Sequence, residues 1–244
     1  MRIPVTHVQT THRLPAVIAT VLVVAAIVAM NLTQHFVGNA LWLGPAAAVG
    51  LVVFARWSGL SWTELGMHHK HLRAGLLVAL ACIAVVAAVY LIGVLLPLTR
   101  TAFLDVRYQF SVPGALMYAF VVIPLSTILL EEVAFRSVLW GMLTRHSTRS
   151  GVLVMSSSLF GLWHVLPSLN IASANAGIGD AVQGLGSAAG VLVVVGIVAF
   201  TAVGGALAGE LRRRSGSVLA SAGMHWATNG LGVLFGLLAW RLAA

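Results

Sequence analysis

Apolar residues run along the chain in long stretches, broken by short polar segments that carry most of its charge. A helix needs about 20 consecutive apolar residues to cross a hydrocarbon core about 30 Å thick. Stretches of this kind occupy 14–37, 39–56, 74–97, 113–143, 151–167, 188–209 and 217–240. They predict seven membrane helices, with an eighth if part of 168–187 re-enters the bilayer. The expected fold is all-α, a polytopic transmembrane helical bundle forming a single membrane domain over 1–244. Arg2 and Arg13 precede the first stretch as in a signal peptide, but a signal core spans only roughly 7–15 apolar residues. The stretch is therefore read as the first membrane helix.

Composition supports this solvent assignment. Charged residues make up 8% of the chain and hydrophobic ones 59%, and the mean hydropathy is +0.99, whereas soluble domains carry about 25% charged residues. The net charge of +8 does not indicate nucleic acid, because the basic residues are scattered rather than gathered into a stripe with aromatics. They fit a topology signal instead. With the N-terminus in the cytoplasm, Arg56, Lys70, Arg73, Arg145, Arg149 and Arg212 to Arg214 all fall inside, and only Arg100, Arg107 and Arg241 fall outside. This predicts a multi-pass cell-membrane protein with a cytoplasmic N-terminus.

Several features have ordinary explanations. Cys82 is the only cysteine and lies in an apolar run, as a small packing residue does. Gly205 and Gly209 form a small-xxx-small pair suited to close helix packing. The arginines 212–214 read as a cytoplasmic anchor. His68, His69 and His71 are close enough in sequence to suggest a metal, but nothing supplies a buried supporting shell.

Charge inside the apolar stretches is harder to explain that way. Glu131, Glu132 and Arg136 lie in the fourth stretch, far from the nearest other charges at Arg107 and Arg145. A central Asp, Lys or Arg costs about 2.5–3.5 kcal/mol in membrane insertion, so these side chains should face a protein interior. Glu132 and Arg136 are i and i+4 and can pair, while Glu131 lies about 100° away around the helix. His164 in the fifth stretch and His225 in the seventh, with Asn229 one turn later, are of the same kind. At 1.5 Å per residue, Glu131 lies about 21 Å from Arg145, His164 about 22 Å from Arg149, and His225 about 17 Å from Arg214. Three helices thus bring them to one level. Ser126, Thr127 and Ser156 to Ser158 extend the polar character, and a wet cavity reached from the cytoplasmic half is expected.

These groups define a chemistry. No serine has an assignable base and Cys82 lies away from the set, so a covalent nucleophile is not indicated. A carboxylate and an imidazole can instead share and activate a water, and the protonated acid can then serve a leaving amine. N–H donors on His225 and Asn229 suit a tetrahedral oxyanion. No cofactor is required for this. Zinc is the alternative, with Glu131, His164 and His225 as ligands and a fourth position open, although no HExxH is present.

Glu131-Glu132-x-x-x-Arg136, Phe160-x-x-x-His164 and His225-x-x-x-Asn229, in this order on separate helices, resemble the motifs of the CAAX protease and bacteriocin-processing (CPBP) intramembrane peptidase family. The resemblance spans 113–240, which it marks as a catalytic core. It implies Glu131 and His164 as the water-activating pair and His225 with Asn229 as the oxyanion pair, supported by Glu132, Arg136 and Phe160. The substrate it implies is a membrane-embedded or lipid-anchored peptide within the bilayer. Two other readings use the same residues. One is a regulatory or immunity-type scaffold whose polar cluster serves assembly. The other is a proton-coupled transporter, against which stands the lack of an inverted repeat.

Overall fold

The computed structural model describes residues 14–38 and 40–244, so Arg2 and Arg13 lie outside the described residues. Helices form at each of the seven apolar stretches, and no strand occurs among the described residues. They are α1 (Ala16–Val37), α2 (Leu43–Trp57), α3 (Leu72–Leu95), α4 (Val112–Leu143), α5 (Arg149–Trp163), α6 (Ala188–Ser215) and α7 (Val218–Ala243). Four helices, α1, α3 with its preceding turn, α4 and α6, are long and apolar enough to cross a membrane, and α2 is a shorter apolar helix. The segment proposed as an eighth crossing holds the short helices Ile171–Ala174 and Ala176–Val182, well below spanning length.

Helix α4 is the axis of the molecule. It contacts α1, α2, α5, α6 and α7, and every residue from Leu130 to Leu143 is buried. A helix enclosed all round has no solvent face, which its composition of apolar residues interrupted by a few charges allows only if those charges find partners. It winds with π-helical geometry at Tyr118–Val122, Pro124–Ile128 and Glu132–Leu139. Such widened turns loosen backbone pairing, and neighbouring side chains can supply extra bonds to the carbonyls. The Ser156 hydroxyl donates to the Phe135 carbonyl at 3.2 Å, and Arg212 Nε donates to the Arg136 carbonyl at 3.0 Å.

These bonds revise two expectations. Ser156 and Ser157 bond backbone carbonyls, of Phe135 and Val154, and so serve packing rather than extending the polar site. Arg212 is buried and also donates to the Glu64 carbonyl at 2.5 Å, tying α6 and α4 to the 58–68 loop. Arg213 and Arg214 alone keep the outward character expected of the triplet, both pairing with Glu210.

Small residues set how closely the helices approach. A Cβ on Gly209 would lie 2.6 Å from Trp140 Cζ3, and one on Gly205 would lie 3.1 Å from Phe160 Cδ1 and 3.4 Å from Arg136 Nη2. The pair packs α6 onto α4 and α5, as its spacing suggests. Gly161 likewise sits against the Val198 carbonyl, where a Cβ would come within 2.7 Å.

The loops divide between two ends. At one, Arg145 bonds the Ser58 and Gly59 carbonyls and pairs with Glu64, and His146 meets Thr20 at 2.9 Å. At the other, Asp105 bridges to Asn175, Trp240 Nε1 donates to the Asp105 carbonyl, and Arg107 pairs with the Asp105 carboxylate at 2.6 Å. Arg56, Lys70, Arg73, Arg145, Arg149 and Arg212 to Arg214 belong to the first end, and Arg100, Arg107 and Arg241 to the second.

Candidate active site

Glu131 is 6% exposed and its two oxygens have different surroundings. Oε1 accepts a hydrogen bond from Trp163 Nε1 at 3.0 Å. Oε2 has no hydrogen-bond partner and lies 3.7 Å from His225 Nε2. Trp163 was not singled out from the sequence, although it adjoins His164. An indole N–H enclosed in a membrane interior needs an acceptor, and that need was a signal available in advance.

His225 lies between the two glutamates. Its Nδ1 is 2.9 Å from Glu132 Oε1 while its Nε2 approaches Glu131. An ionised carboxylate only accepts, so with Glu132 ionised the Nδ1 carries the hydrogen. The same Glu132 oxygen is paired with Arg136 Nη1 at 3.5 Å, as the i, i+4 spacing predicts. The Arg136 guanidinium lies 3.7 Å from the centre of the Phe160 ring, close enough for a cation–π contact. Glu131 is not set apart from this group by helical phase, because His225 reaches both carboxylates across the enclosed stretch of α4.

His164 ends α5, at φ −85° and ψ 1°, immediately before the short helix Val165–Ser168. Its Nδ1 is 2.8 Å from the Phe160 carbonyl, which can only accept. The hydrogen therefore sits on Nδ1, and the neutral ring keeps a lone pair on Nε2. The Phe160 ring also packs edge-on to His164 and His225, with centroids 4.7 and 5.9 Å away. Phe160 is thus a shared wall that fixes both imidazoles and carries Arg136.

A cavity of about 450 Å³ contains Glu131, Ser126, Thr127, Trp163, His164 and Asn229. Its remaining lining includes Asn31, Gln34, His35 and Arg107, from the end of the molecule opposite Arg145. The cavity therefore lies toward the Arg107 end of the molecule. The helical rise placed Glu131 and His164 more than half a bilayer away from the Arg145 end, and the cavity continues in that direction. The two motif pairs do share one site, but Glu131 has His225, not His164, within ion-pair reach.

Glu131, His164 and His225 are not gathered into a three-ligand group in this structure. No group of three His, Cys, Asp or Glu side chains among the described residues is placed to hold a metal. Glu131 and His225 approach each other at 3.7 Å, while His164 Nδ1 bonds a backbone carbonyl and leaves the Nε2 lone pair available. His68 stacks on His69 at the far end without forming a metal group. The residues can instead orient a water between a carboxylate and an imidazole lone pair, beside N–H donors.

No curated protein and no solved structure matched this chain. Residues 113–231, which contain all three motifs, match the family model described as Rce1-like, type II CAAX prenyl endopeptidase Rce1-like. Over that segment the chain is similar to the Rce1-like branch of the CAAX protease and bacteriocin-processing family, the same family its three motifs resemble.

Proposed function

We propose that the protein is an intramembrane endopeptidase that hydrolyses a peptide bond in a membrane-associated protein or peptide. The observation that carries this reading is the state of Glu131: one oxygen is held by Trp163, and the other is without a hydrogen-bond partner beside a cavity shared with His164 and Asn229. In this reading a water donates one hydrogen to Glu131 Oε2 and the other to the His164 lone pair. Glu131 takes a proton as the water oxygen attacks the substrate carbonyl carbon. The carbonyl oxygen becomes an oxyanion, held by Asn229 and by His225 Nε2–H. Because Glu132 holds the Nδ1 hydrogen, donation from Nε2 to the oxyanion uses the doubly protonated ring. The proton on Glu131 then passes to the amide nitrogen as the C–N bond breaks, releasing an amine and a carboxylic acid. No step requires a metal or cofactor.

The distribution of arginines supports a cytoplasmic N-terminus and an extracytoplasmic end bearing Arg107. Seven helices crossing the membrane, including α2, α5 and α7, agree with that alternation. The cavity then admits water from the extracytoplasmic side. An impermeant thiol reagent should label Gln34→Cys in intact cells, in a Cys82→Ala background. Labelling only after permeabilisation would reverse the orientation.

Purified protein in proteoliposomes tests the activity. Wild type should cleave a membrane-anchored peptide, and Glu131→Ala and His164→Ala should lose about 10²–10⁴ of the rate. Equal cleavage by all three proteins would refute the proposal and leave the scaffold reading.

A further inference from the structure

Helix α1 lies outside the matched segment 113–231 and carries none of the three motifs, yet it forms part of the wall of the cavity beside Glu131. Asn31, Gln34 and His35 stand at i, i+3 and i+4 along α1, and all three line that cavity. At 1.5 Å per residue, Asn31 lies about 9 Å inside the end of α1, within a stretch long and apolar enough to span the membrane. Its side-chain amide donates to the Trp163 carbonyl at 3.0 Å.

That carbonyl has lost its ordinary donor. In a continuous helix it would accept from the N–H of residue 167, four positions on. Residue 167 is proline, which has no N–H. Other carbonyls at this end of α5 are served from within the segment. The Phe160 carbonyl meets His164 Nδ1 at 2.8 Å, the Gly161 carbonyl accepts from the His164 N–H at 3.0 Å, and the His164 carbonyl accepts from the Ser168 N–H at 3.1 Å. The Trp163 carbonyl is served from α1 instead. A backbone carbonyl left unpaired in a membrane interior is costly, so without the Asn31 amide the end of α5 has to shift toward another donor. Both residues at that end belong to the site: Trp163 holds Glu131 Oε1, and His164 keeps its Nε2 lone pair free.

We propose that Asn31 is a positioning residue for the water-activating pair. Its amide replaces the hydrogen bond that Pro167 cannot make, and so fixes the backbone from which the Trp163 indole reaches Glu131 and the His164 imidazole reaches the water. Helix α1 is thereby part of the active site without touching the reacting atoms. The consequence for the reaction rests on the peptidase reading, while the hold on Trp163 does not.

Pro167 provides the test, because Pro167→Ala returns an N–H to the position four residues beyond Trp163. Two readouts are taken on the full chain. One is cleavage of a membrane-anchored peptide in proteoliposomes. The other is the indole N–H resonance of Trp163 in detergent micelles, in protein carrying isotope-labelled tryptophan and assigned by its loss in Trp163→Phe. Asn31→Leu, which removes the amide at similar size, should lower kcat about ten- to a hundredfold with KM within about threefold, and the indole resonance should move upfield as its bond to Glu131 lengthens. In Asn31→Leu/Pro167→Ala both readouts should return, with kcat within about threefold of Pro167→Ala alone. Thr33→Val is the control, since the Thr33 hydroxyl bonds its own helix at the Ala29 carbonyl, and it should change neither readout. Rescue by Pro167→Ala is an outcome that a merely structural Asn31 would not give. An indole resonance and kcat indifferent to Asn31→Leu overturn the proposal, as does a loss that Pro167→Ala leaves unrelieved. If Asn31→Leu alone fails to fold, the double variant must fold and cleave, and a double variant that is also unfolded overturns the proposal. An indole shift that Pro167→Ala reverses, in a protein whose wild type cleaves nothing, preserves the hold on Trp163 and refutes the peptidase reading.

Discussion

The carboxylate of Glu132 lies 2.9 Å from His225 Nδ1 and, through the same oxygen, 3.5 Å from Arg136 Nη1. One buried anion thus both fixes the hydrogen of an imidazole and offsets a buried guanidinium. Glu132→Gln keeps the shape but removes the charge, and its amide can donate to Nδ1 and invert the ring's tautomer. The expected result is a rate loss of about a hundredfold in the cleavage assay with little change in KM. Glu132→Ala leaves Arg136 without its counter-charge and should lower stability by about 3–5 kcal/mol in detergent unfolding. Retention of full activity by the Gln variant would remove Glu132 from any role at the site.

Trp163 holds Glu131 through a single N–H. Trp163→Phe preserves most of the ring's packing and deletes the donor, leaving Glu131 Oε1 unpaired. Stability should fall by about 1–3 kcal/mol, and kcat should fall about tenfold as the carboxylate loses its orientation. A change in KM alone would assign Trp163 to substrate contact instead.

Glu131 and His164 are proposed to act on one water. Single variants Glu131→Gln and His164→Ala should each lose about 10²–10⁴ in rate, and the double variant should lose little more than the worse single. Multiplying losses in the double-mutant cycle would show that the two residues serve separate steps.

Asp105 anchors Arg107 and the loop beside the aqueous cavity. Burial pushes its carboxyl pKa up, but hydrogen bonds from the Arg107 side chain and backbone outweigh this and hold it below its ordinary 3.8. A folded value below the unfolded one means the contribution is complete above about pH 4 and is lost as pH falls through the folded value. Thermal unfolding between pH 7 and pH 3 should show an acid-side decline that is shallower in Asp105→Asn. Parallel curves for the two proteins would assign the decline to other groups.

Gly209 touches the Trp140 ring, where a Cβ would come within 2.6 Å. Gly209→Leu should cost about 1–3 kcal/mol by overpacking, whereas Gly196→Leu should be close to neutral in the same unfolding measurement.

Much of this site was legible from spacing and depth. Glu131, His164, His225 and Asn229 could be grouped because helical rise is uniform, so distance along a membrane helix translates into depth. The Glu132–Arg136 pair followed from the i, i+4 rule, and the close approach at Gly205 and Gly209 followed from the absence of side chains. The all-helical class was equally accessible, because long apolar stretches leave backbone groups no partner but their own helix.

Lateral relationships were not accessible in that way. Depth says which residues share a level, not which helices are neighbours at it. Phase separated Glu131 from Glu132, yet α4 is enclosed on every side and has π-helical turns, so His225 meets both. Trp163 acquired its role only when α5 packed beside Glu131, and Arg212 turned inward only because the Arg136 and Glu64 carbonyls needed donors. By itself the sequence determined that the chain is helical, apolar and charged at one buried level, since those properties depend on local composition and a fixed rise per residue. The tertiary structure decided which charges pair and which side chains line the cavity beside Glu131, since these depend on how helices distant in sequence are arranged around α4.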